Sequence, residues 1–168
     1  AALNENFSKS MQDMDPETTT IQHEQTLDWD DVLLFDKPVS TKHRQRITSA
    51  FVNTSILNES MYLFFEGKQL SLDKIPPQGI WINLLGSAHG KTVYRVTIQS
   101  SEGSFKFVFN LNDDLSSDQI NTELFWLMAC ARDSQFNQLV ETLGSYKPEQ
   151  DLWSEEFISG LTVREYLK

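Results

Sequence analysis

Residues 136–168 read FNQLVETLGSYKPEQDLWSEEFISGLTVREYLK, and this stretch does most to decide the fold. In order, it predicts a strand, a turn, a second strand, a connector that contains Gly160, and the start of a helix. Strands that follow one another through turns, with the helix outside the run, are typical of the α+β class. The pattern upstream continues this arrangement toward the N-terminus.

Three more strands are expected at residues 80–85, 92–99 and 105–111, where apolar side chains recur with a period of two between turns. Because short connections join them, an antiparallel meander is the simplest arrangement. After the third strand, a capping-box pattern and apolar positions at helical spacing predict a helix over about residues 117–131. The sequence therefore predicts an α+β fold: an antiparallel sheet of about five strands, one main packed helix and an N-terminal helical extension.

Changes in composition divide the chain into three parts. Residues 1–26 are polar and bury too little apolar surface to offset the entropy of ordering, so a flexible tail is expected there. Residues 27–78 are interpreted as a helical and hairpin extension, and residues 79–168 as the main domain. The extension packs on the main domain or forms a small helical domain that binds a partner, and the sequence leaves both alternatives open.

Within the extension, Ser40 or Thr41 can cap a helix that runs through Asn58. The β-prone run Met61–Phe65, a turn and the segment Gln69–Leu72 then predict a hairpin.

The charge of the chain narrows the classes of partner. Its 168 residues carry a formal net charge of −10, which disfavours nucleic acid because the surface would repel a phosphate backbone. A short basic cluster, composed of Lys42, His43, Arg44 and Arg46, is interpreted as the solvated start of a helix. No apolar run approaches the ~20 residues that span a bilayer, and no secretory signal is seen, so no membrane partner and a cytoplasmic location are expected.

Cys130 is the only cysteine of the chain. It lies in an apolar stretch and has no second cysteine with which to form an internal disulfide or a multi-cysteine metal site. We interpret it as a buried structural thiol.

The connector at residues 86–92, Gly-Ser-Ala-His-Gly-Lys-Thr, ends like a phosphate-binding P-loop. A P-loop needs four residues between its glycines, whereas three separate Gly86 from Gly90. A P-loop also opens into a helix, whereas residues 93–98 continue as an alternating strand. The P-loop interpretation is therefore rejected.

The connector instead resembles the glycine-containing hairpin of a protein-kinase-like small (N-terminal) lobe, although Ala88 and Lys91 stand where that hairpin has its second and third glycines. Phe-Val-Phe-Asn at residues 107–110 is similar to the Val-Ala-Ile-Lys strand of the family, with Asn110 in the lysine position. Residues 137–146 and 151–167 are similar to the later strands, the hinge and the next helix. The resemblance covers about residues 79–168.

The resemblance implies a set of candidate nucleotide-binding residues. Glu123, on the predicted helix, would pair with a strand lysine, and either Lys106 or Asn110 would occupy the lysine position. With Asn110 there, the lobe would resemble a pseudokinase. Glu155 would stand at the gatekeeper position beside the hinge. The full candidate set is Gly86, Ser87, Ala88, His89, Gly90, Lys106, Asn110, Glu123, Glu156 and Ile158.

The same resemblance implies no catalytic residue in this chain. In such enzymes the catalytic and metal-binding aspartates follow the small lobe, at positions that would come after Lys168. We expect the small lobe of a kinase-like phosphotransferase, as a fragment or split subunit that is inactive alone, with ATP and Mg²⁺ bound only together with a completing lobe. The expected partners are that C-terminal lobe or another protein, with self-association through the exposed apolar side. The alternative is an acidic protein-binding module, of the inhibitor or immunity type, that covers a basic partner.

Overall fold

The computed structural model of the protein describes residues 28–132 and 143–157, without the side chains of residues 88 and 130–132. The predicted tail at residues 1–26, the thiol of Cys130, and Ile158 lie outside this description.

The centre of the molecule is a six-stranded sheet with the order β1-β2-β3-β4-β6-β5. Strand β1 runs parallel to β2, and the other neighbouring pairs are antiparallel. The α+β class is thus confirmed, and the expected five antiparallel strands gain a short parallel strand at one edge. The strands are β1 (Leu33–Phe35), β2 (Ile80–Ala88), β3 (Lys91–Ser100), β4 (Gly103–Asn112), β5 (Leu143–Lys147) and β6 (Leu152–Glu156).

Four α-helices and one short 3₁₀ helix accompany the sheet in the described residues. They are α1 (Trp29–Val32), α2 (Thr41–Asn53), α3 (Ile56–Phe64), the 3₁₀ helix (Leu72–Lys74) and α4 (Ser117–Arg132). Helix α4 confirms the helix predicted over residues 117–131. Its capping box is formed, since Ser116 Oγ accepts from Gln119 N at 3.2 Å and Gln119 Oε1 accepts from Ser116 N at 2.8 Å.

The hairpin predicted over residues 61–72 is wrong, because residues 56–64 form helix α3 instead. In a helix, Ile56, Leu57 and Met61 share one side, and all three are buried in the core. The β-prone Tyr62 and Leu63 lie on the exposed side. Burial of the helical stripe therefore outweighs the local strand propensity of the aromatic run.

The single helix expected through Asn58 is also corrected, because α2 ends at Asn53 and α3 begins at Ile56. Thr54 takes an extended conformation between them, with φ of −137°. Its hydroxyl donates to the carbonyl oxygen of Ala50 at 2.5 Å and accepts from Ile56 N at 3.2 Å. Thr54 thus both ends one helix and starts the next.

Helices α1, α2 and α3 contribute to the same hydrophobic core as one face of the sheet, which we call the core face. Phe51 of α2 stacks on Trp29 with ring centroids 5.2 Å apart and contacts Phe109 of β4 at 5.3 Å. Tyr94 and Phe107 point to the same side. The extension and the sheet therefore share one core.

The opposite side of the sheet is the α4 face, because a side chain of α4 reaches it. Side chains alternate along a strand, so Lys91, Val93 and Arg95 point away from the core face. Asn110 and Trp153 are their neighbours on β4 and β6. Some of the candidate nucleotide-binding side chains, including that of Asn110, therefore point to the α4 face and not into the core.

Candidate functional site

The connector between β2 and β3 is shorter than the glycine-containing loop expected from the sequence. Only His89 and Gly90 lie outside the strands, and both have positive φ, 55° and 81°. A two-residue turn with this backbone is of type I′ and matches the twist of the flanking strands. Gly86, Ser87 and Ala88 are consequently part of β2, and His89 is an exposed turn residue.

Strand β2 contains a bulge just before these residues. Leu84 pairs with Tyr94 and Gly86 with Val93, so Leu85 is the additional residue. A Cβ atom added to Gly86 would meet nothing within 4 Å. The space beside Gly86 is therefore open. The kinase resemblance assigns this strand to the hairpin that would cover the nucleotide phosphates.

Glu123 of α4 forms an ion pair with Lys91, the first residue of β3. The pair is shielded, because only 14% of the Lys91 side chain and 26% of the Glu123 side chain are exposed. The Lys91 ammonium also lies 5.8 Å from the ring centroid of Trp153. Lys106, the expected lysine partner of Glu123, is therefore wrong, and Lys91 provides the cation.

Lys106 is exposed on β4, in register with Thr97, and forms no ion pair with a described residue. It lies four residues before Asn110, which corresponds to about 13 Å along a strand. Strand geometry thus places the Cα atom of Lys106 far from the start of β3, where Lys91 binds Glu123.

Asn110 lies on the α4 face with 1% of its surface exposed, in register with Val93 and Trp153. Its Nδ2 atom has no hydrogen-bond acceptor among the described residues. The position that the resemblance assigns to the strand lysine is therefore a buried neutral amide.

The last described strand brings the proposed hinge beside β4. Glu155 is in register with Val108 and is buried, and its Oε1 accepts from Trp153 Nε1 at 3.0 Å. Glu156, in register with Phe107, is half-buried. The gatekeeper candidate Glu155 thus shares the α4 face with Asn110.

A second polar cluster was not anticipated from the sequence. His43 Nδ1 lies 2.5 Å from Tyr94 Oη, and His43 Nε2 lies 2.7 Å from Asp113 Oδ1. Thr92 Oγ1 donates to the other oxygen of Asp113 at 2.5 Å. Burial raises the pKa of Tyr94, and Asp113 acts in the same direction, so the phenol stays neutral.

Arg46 adds to this cluster by binding the turn between β5 and β6. Its Nε donates to the carbonyl oxygen of Gln150 at 3.0 Å and its Nη2 to that of Asp151 at 2.6 Å. Burial lowers the pKa of Arg46, whereas Asp151 and Asp113 oppose that shift. The predicted solvated helix start is wrong for His43, Arg44 and Arg46, which are half-buried. His43 and Arg46 join α2 to the sheet.

No local sequence signal could have revealed this cluster, because His43 is 51 residues from Tyr94 and 70 from Asp113. Its polar atoms bond to one another and to turn carbonyls. This arrangement connects helix α2 to the sheet at two places, near Asp113 and at the turn between β5 and β6.

Comparison with known proteins gave no match to a family model, to a curated protein or to a solved structure. Within residues 28–132 and 143–157, no three His, Cys, Asp or Glu side chains are grouped so that they could hold a metal ion. Among the described helices, none is both long and apolar enough to span a bilayer.

Proposed function

We propose that this chain is the small lobe of a kinase-like phosphotransferase, as a fragment or split subunit, and that it contributes the covering hairpin and the hinge of a nucleotide site. The order of its elements supports this proposal. A β-hairpin, a third strand, a capped helix and two further strands follow one another along the chain, all with antiparallel pairing. This is the order on which the resemblance rests.

The observation that carries the proposal is the ion pair between Lys91 and Glu123. In kinase-like lobes a helix glutamate holds a strand lysine that contacts the nucleotide phosphates. Here Asn110 cannot supply a charge, whereas Lys91 lies next to the hairpin turn, on the same face of the sheet. We therefore assign the phosphate-contacting role to Lys91, with Glu123 as the residue that positions it.

The lobe is proposed to be inactive alone. In this proposal the completing lobe would hold Mg²⁺ and would also supply the catalytic aspartate, as the resemblance implies. ATP would supply the phosphoryl group once both lobes are together. The cytoplasmic location and the C-terminal lobe as partner belong to the same proposal.

A second candidate function, the acidic protein-binding module, is favoured by the outer side of α4. Phe125, Trp126 and Met128 expose 68%, 61% and 44% of their surfaces there. Large apolar side chains that are grouped on a surface often mark a binding site for another protein. With the net charge of −10, they suit a basic partner.

The test of the first candidate is the ATP-dependent rise in Tm of the native full-length gene product, whose reading frame and intact mass are established first. With free ATP about a hundredfold above Kd, binding stabilises by about 2.7 kcal/mol, which corresponds to a few degrees in Tm. We expect Lys91→Met to lose this rise, because the phosphate contact loses its charge. Lys106→Met is the matched control and should retain it.

Glu123→Gln separates positioning from charge, since it keeps Lys91 and removes only its carboxylate partner. We expect a smaller ATP-dependent rise in this variant than in the native protein. An equal rise in the native protein and in Lys91→Met, or no rise in any of them, would contradict the proposed nucleotide site.

A further inference from the structure

An open cleft with a volume of about 490 Å³ lies between the β2–β3 turn and α4. Six of its lining residues matter for its chemistry: His89, Leu115, Asp118, Thr122, Glu123 and Trp126. Glu123 also positions Lys91 in the proposed nucleotide site, whereas Asp118, Thr122 and Trp126 belong neither to that site nor to the His43 cluster.

The spacing of the helix residues gives the cleft its shape. Asp118, Thr122 and Trp126 follow one another at intervals of four, so they lie in one row along α4. Each interval rises about 6 Å along the helix axis. A carboxylate and an indole therefore stand about two turns apart, with a hydroxyl between them.

The carboxylate at one end of this row is available to a ligand. Asp118 is exposed, and its side chain forms no hydrogen bond or ion pair with a described residue. Glu123 adds a second carboxylate at the inner wall, although Lys91 already binds it. None of the described residues that line the cleft is lysine or arginine.

The indole at the other end of the row is exposed, and so is its aromatic neighbour. Trp126 shows 61% of its surface, and Phe125 beside it shows 68%. The face of an indole attracts a cation through its ring quadrupole, and tryptophan does so best among the aromatic residues.

Charge decides which ligand suits this arrangement. The N-terminal end of α4 carries a partial positive charge that would favour an anion. However, an anion in the cleft would face Asp118 at close range, and each unit charge at about 4 Å costs ~1 kcal/mol even in water. A cation would instead gain from both the carboxylate and the indole, and the chain's net charge of −10 would attract it.

We propose that this cleft is a docking site for an arginine or lysine side chain of a basic partner protein, with Asp118 binding the charged group and Trp126 covering it. The proposal rests on the second candidate function. The cleft wall shares Glu123 with the proposed nucleotide site, whereas Asp118 and Trp126 do not belong to that site. Phe125 and Met128 would contact the apolar neighbours of the basic residue.

The test uses NMR of the full chain labelled with ¹⁵N, titrated with an acetylated and amidated peptide of three Arg-Ala repeats. The peptide with three Glu-Ala repeats serves as the charge control. We expect a saturable shift of the Trp126 indole N–H with the arginine peptide, weakened by added salt. The indole of Trp81, exposed on β2, is the internal reference and should not move.

Asp118→Asn should weaken binding of the arginine peptide by about threefold to fivefold, which is typical of an exposed ion pair. Asp31→Asn removes the same charge from α1 and is the matched control. Helix α1 leads into β1, which begins beside Ile80. Ile80 is at the end of β2 that lies away from the β2–β3 turn. Asp31→Asn should leave the affinity unchanged. Far-UV circular dichroism would establish that both exposed substitutions leave the fold intact.

Three results would overturn the docking site. They are a peptide that binds without shifting Trp126, an equal shift with the glutamate peptide, and an equal loss of affinity in Asp118→Asn and Asp31→Asn. If the arginine peptide does not bind at all, the docking site is refuted and the second candidate function loses its support from charge. The ATP-dependent rise in Tm is measured separately, so each failure is assigned to its own proposal.

Discussion

At the scale of single residues, Gly144 of β5 has the tightest surroundings of the described glycines. A Cβ atom at Gly144 would lie 2.3 Å from Ser154 Oγ and 2.4 Å from Phe64 Cζ. Ser154 Oγ is fixed in place, because it accepts from Ser60 Oγ at 2.8 Å and from the backbone N–H of Ser145 at 2.9 Å. The missing side chain at Gly144 therefore lets β5 approach α3 and β6.

We expect Gly144→Ala to lower the free energy of unfolding by about 1–3 kcal/mol, since the added methyl group must displace Ser154 or Phe64. Urea denaturation measures the change. Gly86→Ala is the matched control, because nothing lies within 4 Å of its Cβ position, and it should be neutral or slightly stabilising. Equal losses in the two variants would show that the close approach at Gly144 is unimportant.

The charged pair is the other decisive feature at this scale. The spacing of α4 indicated that Glu123 needs a cation or solvent, because it lies beside the apolar residues Ile120 and Leu127. Which cation it binds depends on the approach of α4 to β3, 32 residues earlier in the chain. The requirement was therefore predictable, whereas the identity of Lys91 was not.

At the scale of elements, helix α4 is the part of the molecule on which both proposals depend. It carries Glu123 toward the sheet and Trp126 toward solvent. Its start is defined by the reciprocal hydrogen bonds between Ser116 and Gln119. The first turn must therefore be formed for either site to have its shape.

We expect Ser116→Ala to destabilise the start of α4 by about 1 kcal/mol, because the N–H of Gln119 loses its acceptor. Faster hydrogen exchange in the first two turns of α4 would record the effect. Ser117→Ala, one residue further along, leaves the Ser116–Gln119 hydrogen bonds in place and should leave the exchange rates unchanged. Equal acceleration in both variants would contradict the capping role of Ser116.

At the scale of the whole molecule, the extension and the sheet are held together by one hydrophobic core. Phe51 of α2 contacts both Trp29 and Phe109, so α1, α2 and β4 meet at a single aromatic cluster. Arg46 adds polar bonds from α2 to the turn at Gln150 and Asp151. Of the two alternatives that the sequence left open, these contacts favour an extension that unfolds together with the sheet.

We expect Phe51→Ala to lower the free energy of unfolding by about 3–5 kcal/mol and to keep one cooperative transition. Far-UV circular dichroism, which follows the helices, and tryptophan fluorescence should then report the same urea midpoint. Val52→Ala, at an exposed neighbouring position, should change stability by less than about 0.5 kcal/mol. Separate midpoints for the two probes would indicate that residues 27–78 fold as their own domain.

The amino-acid sequence was sufficient for the α+β class, the strands around the β2–β3 turn, and helix α4, because period-two alternation and a capping box act between near neighbours in the chain. Tertiary contacts decided the break at Thr54, the helix over residues 56–64, the parallel strand β1 and the pairing of Lys91 with Glu123. Each of these depends on which distant surfaces are buried together. Local propensities differ by about 1 kcal/mol or less per residue, and burial of a few apolar side chains outweighs them.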